Sequence, residues 1–102
     1  MYDVFAETST KIKREFEDLL ESLSEKDQKK LMTTLAKAPK STPRDTATSN
    51  LYGRVEKKGK FWQYYAPDGY RVLYDVKDRP KQVIIRFTGN HNDAQIFLRR
   101  NN

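Results

Sequence analysis

The sequence predicts a single α+β domain over residues 1–102, with an antiparallel β-sheet of three to five strands and an N-terminal α-helical hairpin packed on one face. In the first third of the chain, apolar residues recur every three or four positions, the period of a helix with one buried side. From Leu51 onward apolar and polar residues alternate, the period of a strand. Helices and strands that are segregated along a chain of this length favour one α+β domain.

The first predicted element is a short strand, followed by an amphipathic helix. In segment 2–8, Tyr2, Val4 and Ala6 alternate with the intervening side chains, which favours a strand. The next segment, "STKIKREFEDLLESL", has Ser9 or Thr10 as a candidate N-cap. Its apolar stripe consists of Ile12, Phe16, Leu19, Leu20 and Leu23.

A second helix is predicted in "SEKDQKKLMTTLAKA". Ser24 and Asp27 resemble a capping box with the shorter acid, and Leu31 and Leu35 continue an apolar face. Two helices joined so tightly are expected to form an antiparallel hairpin. The segment 39–50, "PKSTPRDTATSN", is predicted to be a loop because it is rich in turn-forming residues.

Three strands follow, in "GKFWQYYA" (59–66), "YRVLYDV" (70–76) and "QVIIRFT" (82–88). The connections "PDG" and "KDRPK" are turn sequences, so an antiparallel meander is expected. We interpret "GNHND" (89–93) as a loop and "AQIFLRRNN" as a short terminal strand or helical turn.

The phases of these strands place arginines on one sheet face. If the alternating apolar residues of 70–76 pack on the helices, Arg71 lies on the uncovered face. Arg86 has the same phase in its own strand, opposite Val83, Ile85 and Phe87. Trp62 and Tyr64 share one phase and are expected on the open face beside Arg71.

The charge favours a polyanionic partner. The chain has 20 Lys and Arg against 14 Asp and Glu, a net charge of +6, and cations dominate from Arg54 onward. A basic domain without such a partner is the alternative. Cysteine is absent, which excludes disulfides and thiol chemistry, and one histidine leaves little for a metal site, so we expect no cofactor and no metal. The N-terminus lacks signal-peptide features and no long apolar run occurs, so we expect a cytoplasmic location.

Two residues are candidates for chemistry. His91 can give and take protons near neutrality, although a surface histidine in a turn is the plain alternative. Arg71 can hold a phosphate with its fork of donors. Its alternative role is a salt bridge to Asp68, Asp75 or Glu56. The run "EKKGK" beside "FWQYY" suits an RNA backbone with stacked bases, or else a solvated hairpin end.

The segment from Leu51 to Arg100 resembles the second half of RelE/ParE-family toxins of bacterial toxin–antitoxin pairs. The matching positions are Leu51, Gly53, Tyr70, Arg71, Tyr74, Gly89, His91 and Phe97. The resemblance implies a microbial-RNase-like fold, a cognate antitoxin, and metal-free cleavage of ribosome-bound mRNA through attack by the RNA 2′-hydroxyl. It implies that Arg71 stabilises the phosphorane and that His91 moves a proton. The expected RNA-binding residues are Arg54, Lys57, Lys58, Lys60, Trp62, Tyr64, Arg86 and Phe97.

Three positions depart from the RelE pattern. Trp62 and Tyr64 stand where RelE proper carries strand lysines, and Phe97 stands at its late tyrosine. The alternative is therefore a non-nuclease member of the family, which poisons DNA gyrase as ParE does or only binds its antitoxin.

Overall fold

The computed structural model describes residues 2–6, 9–36 and 53–102. These residues form an α+β fold, as predicted. The helices are α1 (Thr10–Ser22), α2 (Glu25–Ala36) and α3 (His91–Asn101). The strands are β1 (Asp3–Ala6), β2 (Val55–Lys58), β3 (Phe61–Tyr65), β4 (Tyr70–Asp78) and β5 (Lys81–Asn90). The predicted loop 39–50 and Leu51 lie outside the described residues.

The described strands form one mixed sheet in the order β1-β5-β4-β3-β2. β2 to β5 are an antiparallel meander, whereas β1 pairs with β5 in parallel. The prediction of a wholly antiparallel sheet is therefore wrong at β1. A meander follows from short turns between consecutive strands, but β1 reaches β5 only after both N-terminal helices and three other strands.

One side of the sheet shares a core with α1 and α2. Phe16 and Leu19 of α1 and Leu31 and Leu35 of α2 are buried there, at no more than 7% exposure. The strand residues in the same cluster are Val55, Trp62, Tyr64, Val72, Tyr74, Val83 and Ile85. Each fully buried leucine stabilises the fold by about 1.5–3 kcal/mol. Ser24 caps α2 as predicted, because its Oγ accepts a hydrogen bond from the Asp27 N–H at 3.2 Å.

The other side of the sheet is covered by α3, so it is not the open face that the sequence predicts. Ala94 of α3 packs with Phe61 and Leu73. The further members of this second cluster are Phe87, Phe97 and Leu98. The interpretation of 89–93 as a loop is wrong, because β5 runs to Asn90 and a helix follows directly. Of the two alternatives for the last residues, the strand is wrong and the helical turn is right in type but too short. The Asn90 side chain caps that helix by accepting a hydrogen bond from the Asp93 N–H at 2.8 Å.

A β-bulge reverses the alternation within β5. Tyr74 faces Ile85 and Leu73 faces Phe87 across the ladder, so Arg86 is one residue more than the partner strand matches. Ile85 therefore packs with α1 and α2, whereas Phe87 packs under α3. The prediction that Val83, Ile85 and Phe87 share one face is wrong for Phe87.

Within residues 2–6, 9–36 and 53–102, no helix combines the length and the apolar character needed to span a membrane. In the same ranges, no group of three or more potential metal ligands lies together.

Candidate functional site

Arg71 is held against an aromatic ring rather than by an acid. It pairs with Tyr65 across the β3–β4 ladder, and its Cζ lies 4.4 Å from the centroid of the Tyr65 ring. Its Nη1 donates to the Tyr70 carbonyl at 2.9 Å, and its Nε is buried with no hydrogen-bond partner. Among the described residues, Arg71 has no ion pair. Its guanidinium therefore keeps donors for an anion.

The acids that the sequence offers as partners of Arg71 are mostly bound elsewhere. Asp75 accepts a hydrogen bond from Arg86 Nε at 2.8 Å. Glu56 pairs with Lys58 at 2.7 Å and with Arg54 at 3.2 Å. The alternative reading of Arg71 as a salt-bridge residue is therefore wrong for Asp75 and Glu56.

Tyr65 organises the cations around it. Its Oη donates to Glu56 Oε2 at 3.0 Å, and the Cζ of Arg54 lies 4.1 Å from its ring centroid. We call Arg54, Glu56, Lys58, Tyr65 and Arg71 the Tyr65 cluster. Its three cations surround one carboxylate and one ring, so the cluster carries excess positive charge on the α3 side of the sheet.

Two pKa values in this cluster move in opposite directions. The Lys58 ammonium is the largest cause of a lowered pKa for the Glu56 carboxyl, and the Tyr65 hydroxyl adds to it. The same hydrogen bond raises the pKa of Lys58. Both groups stay charged over a wide pH range, although both are substantially exposed, so the pair adds little stability.

His91 lies in a groove beside this cluster. The groove has a volume of about 420 Å³, and we call it the α3 groove. Its lining residues are Lys58, Gln63, Tyr65, His91, Gln95, Leu98, Arg99 and Asn102. His91 is the exposed first residue of α3, and its Nε2 is 3.4 Å from Gln95 Nε2. Tyr65 lines this groove together with His91, whereas Arg71 stacks on the Tyr65 ring and is not itself among the lining residues.

The last residue of the chain fixes α3 against the β2–β3 turn. Asn102 Oδ1 accepts a hydrogen bond from the Lys60 N–H at 2.9 Å, and its Nδ2 donates to the Lys58 carbonyl at 3.3 Å. The turn itself uses Gly59 at φ 63°, a conformation that favours glycine. These bonds join the end of α3 to the turn beside the α3 groove.

Three of the expected RNA-binding residues lie away from Arg71. Trp62 and Tyr64 are 8% and 3% exposed and pack with α1 and α2, so the expectation that they lie on the open face is wrong. Lys57 lies on their side as well, with its Nζ 5.0 Å from the Trp62 centroid. Side chains of β3 alternate between the two sides of the sheet, and the large rings of Trp62 and Tyr64 fill the space beneath α1 and α2.

The other expected residues are divided. Arg54 and Lys58 belong to the Tyr65 cluster, and exposed Lys60 lies over Phe61 at the nearby turn. Arg86 is half-buried and bound to Asp75. Phe97 packs against both Phe61 and Phe87, with centroids 5.3 Å away in each case, so it serves the core beneath α3.

Sequence reasoning missed Tyr65 as the centre of the site. The signal was present, because the short "APDG" connection pairs Tyr65 with Arg71 in an antiparallel hairpin. Gln95, Arg99 and Asn102 were not assigned to the site, because the C-terminal segment was expected to be only a short strand or helical turn that ends in a solvated tail, not a full helix over the sheet.

In comparisons with known proteins, no family model and no curated sequence matches this chain. The chemistry of the site itself therefore carries the functional argument. An arginine with free donors, an exposed imidazole and surrounding cations can bind a phosphodiester and move a proton beside it.

Proposed function

We propose that the protein is a RelE-like toxin of a toxin–antitoxin pair, a metal-independent endoribonuclease that cleaves ribosome-bound mRNA in the cytoplasm. The observation that carries the proposal is Arg71, which has no ion pair among the described residues and stacks on the ring that also lines the groove of the chain's one histidine. The RelE-like architecture, with a helical hairpin on one sheet face, is part of the proposal. The shared core of α1, α2 and the sheet supports it.

The proposed reaction uses the RNA as its own nucleophile. The 2′-oxygen loses its proton and attacks the adjacent phosphorus, and the bond from phosphorus to the 5′-oxygen breaks as that oxygen gains a proton. The products are a 2′,3′-cyclic phosphate and a 5′-hydroxyl end. Arg71 stabilises the charge of the phosphorane, and His91 transfers one of the two protons.

The Tyr65 cluster would hold the RNA backbone. Arg54 and Arg71 both lie against the Tyr65 ring, Lys58 pairs with Glu56, and Lys60 adds positive charge at the β2–β3 turn. Cations in a row beside an aromatic ring suit a single-stranded backbone. Tyr65, and not Trp62 or Tyr64, would be the aromatic ring nearest the RNA. The guanidinium groups of Arg54 and Arg71 already cover part of this ring.

The test is cleavage of a defined mRNA on purified ribosomes, with the chemistry of the new ends determined. We expect Arg71→Ala to lower the cleavage rate by about 10²–10³-fold and His91→Ala by about 10²–10⁴-fold. Arg14→Ala and Asn92→Ala are matched controls, because both residues are exposed and outside the site, and they should cleave at the wild-type rate. If both site variants cleave as fast as the wild type and arrest growth equally on expression, the assignment is wrong.

A second candidate function is favoured because several of the expected RNA-binding residues lie away from Arg71. Trp62 and Tyr64 are buried and Phe97 is packed under α3, so three residues of that set are unavailable or nearly so. A non-nuclease that poisons DNA gyrase, or only binds its antitoxin, needs none of them. Mapping transcript ends after expression separates the two functions. New mRNA ends indicate the nuclease, whereas a DNA-damage response with intact mRNA indicates gyrase poisoning.

A cognate antitoxin is the expected protein partner in either case. The basic Tyr65 cluster and α3 groove would be covered by an acidic segment of that antitoxin, because opposite potentials favour association.

A further inference from the structure

We infer a binding site for an alkylammonium group on the side of the sheet opposite the Tyr65 cluster. A pocket of about 230 Å³ lies between α1 and the ends of β4 and β5. We call it the α1 pocket. Its lining residues are Glu15, Asp18, Leu19, Ser22, Tyr70, Thr88 and Gly89. This inference does not depend on the proposed function.

The rim of the α1 pocket is acidic on a protein whose net charge is +6. Glu15 and Asp18 are three residues apart on α1, which places their side chains on the same helix face. Within the described part of the chain, neither carboxylate forms an ion pair. By contrast, Glu56 and Asp75 are both paired with cations. Neighbouring like charges repel each other, so a bound cation would relieve this pair.

The floor of the pocket has a polar atom with no partner. Thr88 is 3% exposed, and its Oγ1 is buried without a hydrogen bond. Buried hydroxyls are normally hydrogen-bonded, and a threonine hydroxyl can accept as well as donate, so this group could accept a hydrogen bond from a ligand N–H. Ser22 is already engaged, because its Oγ donates to the Leu19 carbonyl at 2.6 Å. Thr88 is therefore the second, independent sign of a ligand.

The wall of the pocket is the ring of Tyr70, which is 42% exposed. Two carboxylates, one hydroxyl acceptor and one aromatic ring are the groups that recognise an ammonium ion. The volume is smaller than that of a typical small-molecule site and fits an ammonium with a short alkyl chain. A free polyamine and a lysine side chain both supply this chemistry.

The first experiment is a titration of the ¹⁵N-labelled full chain with n-butylammonium, followed by amide chemical shifts, with n-butanol as the uncharged control. We expect saturable shifts centred on Thr88 and Gly89 with the amine and none with the alcohol. Glu15→Gln and Asp18→Asn should each weaken binding by about two- to fivefold. Thr88→Val, which keeps the side-chain shape, should weaken it as well.

Glu17→Gln is the matched control, because Glu17 is exposed on the same helix and does not line the pocket. It should bind as the wild type does. The inference is overturned if the shifts do not saturate, or if Glu17→Gln weakens binding as much as the two pocket variants do. Dispersed amide spectra of each variant show that its fold is retained.

Two further ligands identify the source of the ammonium group. Putrescine has two identical ends, which gives it a statistical advantage of about twofold over n-butylammonium. Putrescine binding that is tighter than this advantage explains indicates a polyamine. An Nα-acetyl-lysine amide that binds as tightly as n-butylammonium, with no additional gain for putrescine, indicates a lysine side chain. Weaker binding of both ligands than of n-butylammonium would overturn both proposed sources.

Discussion

Replacing Tyr74 by Phe should stabilise the protein, although it removes a polar group from the centre of the fold. Tyr74 is 0% exposed, and its hydroxyl is buried with no hydrogen-bond partner. An unsatisfied buried hydroxyl costs about 1–3 kcal/mol relative to its hydrated state in the unfolded chain. Phe keeps the ring and removes that cost, so we expect a gain of about 1 kcal/mol or more. For a domain of this size the gain corresponds to a rise in Tm of roughly 4–8 °C per kcal/mol.

The pH dependence gives the prediction a second readout. Burial raises the pKa of Tyr74, and burial also raises the pKa of Tyr64 to about 12. Because the folded state holds both phenols neutral, the stability they contribute is complete below pH 10 and is lost as the pH rises from 10 through the folded pKa. Each tyrosine that ionises only on unfolding lowers stability by about 1.4 kcal/mol per pH unit in that range.

The assay is urea unfolding of the wild type, Tyr74→Phe and Tyr64→Phe at pH 8 and pH 11. Tyr74→Phe should be more stable than the wild type at pH 8, and its advantage should grow at pH 11. Tyr64→Phe should gain mainly at pH 11. If Tyr74→Phe is destabilised at pH 8, its hydroxyl makes a favourable bond in solution and the reasoning is refuted.

Two further predictions concern the packing around Gly53 and the charge of Glu56 in the Tyr65 cluster. Gly53→Ala should destabilise the fold by about 1–3 kcal/mol, because the added Cβ would overlap the buried Tyr64 ring. The backbone cannot easily move away, since the Gly53 N–H donates a hydrogen bond to Thr34 Oγ1 at 2.8 Å. Urea unfolding measures the change, and an unchanged midpoint would contradict this packing. Glu56→Gln should lower stability by no more than about 1 kcal/mol at pH 7. Since the folded pKa of Glu56 is lowered, its contribution is present above the unfolded pKa and is lost as the pH falls through the folded value. The difference between Glu56→Gln and the wild type should therefore shrink as the pH falls below 4.5, and a difference that stays constant through the acid range would contradict this role of the charge.

The sequence was sufficient for elements whose signal is local. The period of the apolar residues located α1, α2 and three of the four strands of the meander. The phase of 70–76 correctly placed Val72 and Tyr74 on the side of the sheet opposite Leu73. These features depend on residues close together in the chain. Side-chain alternation and turn composition are enough to fix them.

The parts that were wrong depend on contacts between distant segments. The parallel pairing of β1 with β5 leaves no mark in either strand, and the bulge at Arg86 interrupts a pattern that otherwise alternates well. The start and length of α3 were hidden, because Ala94, Phe97 and Leu98 have helical spacing over only a few residues and left a strand and a helical turn as alternatives. The position of α3 in turn decides where the groove lies, so the centre of the candidate site could not be located from the sequence.

The extra residue in β5 has a consequence for how the two sides of the sheet hold together. Because the direction of the side chains reverses halfway along one strand, that strand anchors Val83 and Ile85 beneath one layer of helices and Phe87 beneath the other. Removing Arg86 would make Ile85 and Phe87 neighbours, still opposite Tyr74 and Leu73, so each side chain would keep its present layer. A deletion at this point should therefore keep both hydrophobic clusters and lose the Arg86–Asp75 pair, whereas deletion of Ile84, where the ladder is regular, would turn the side chains on one flank to the wrong layer.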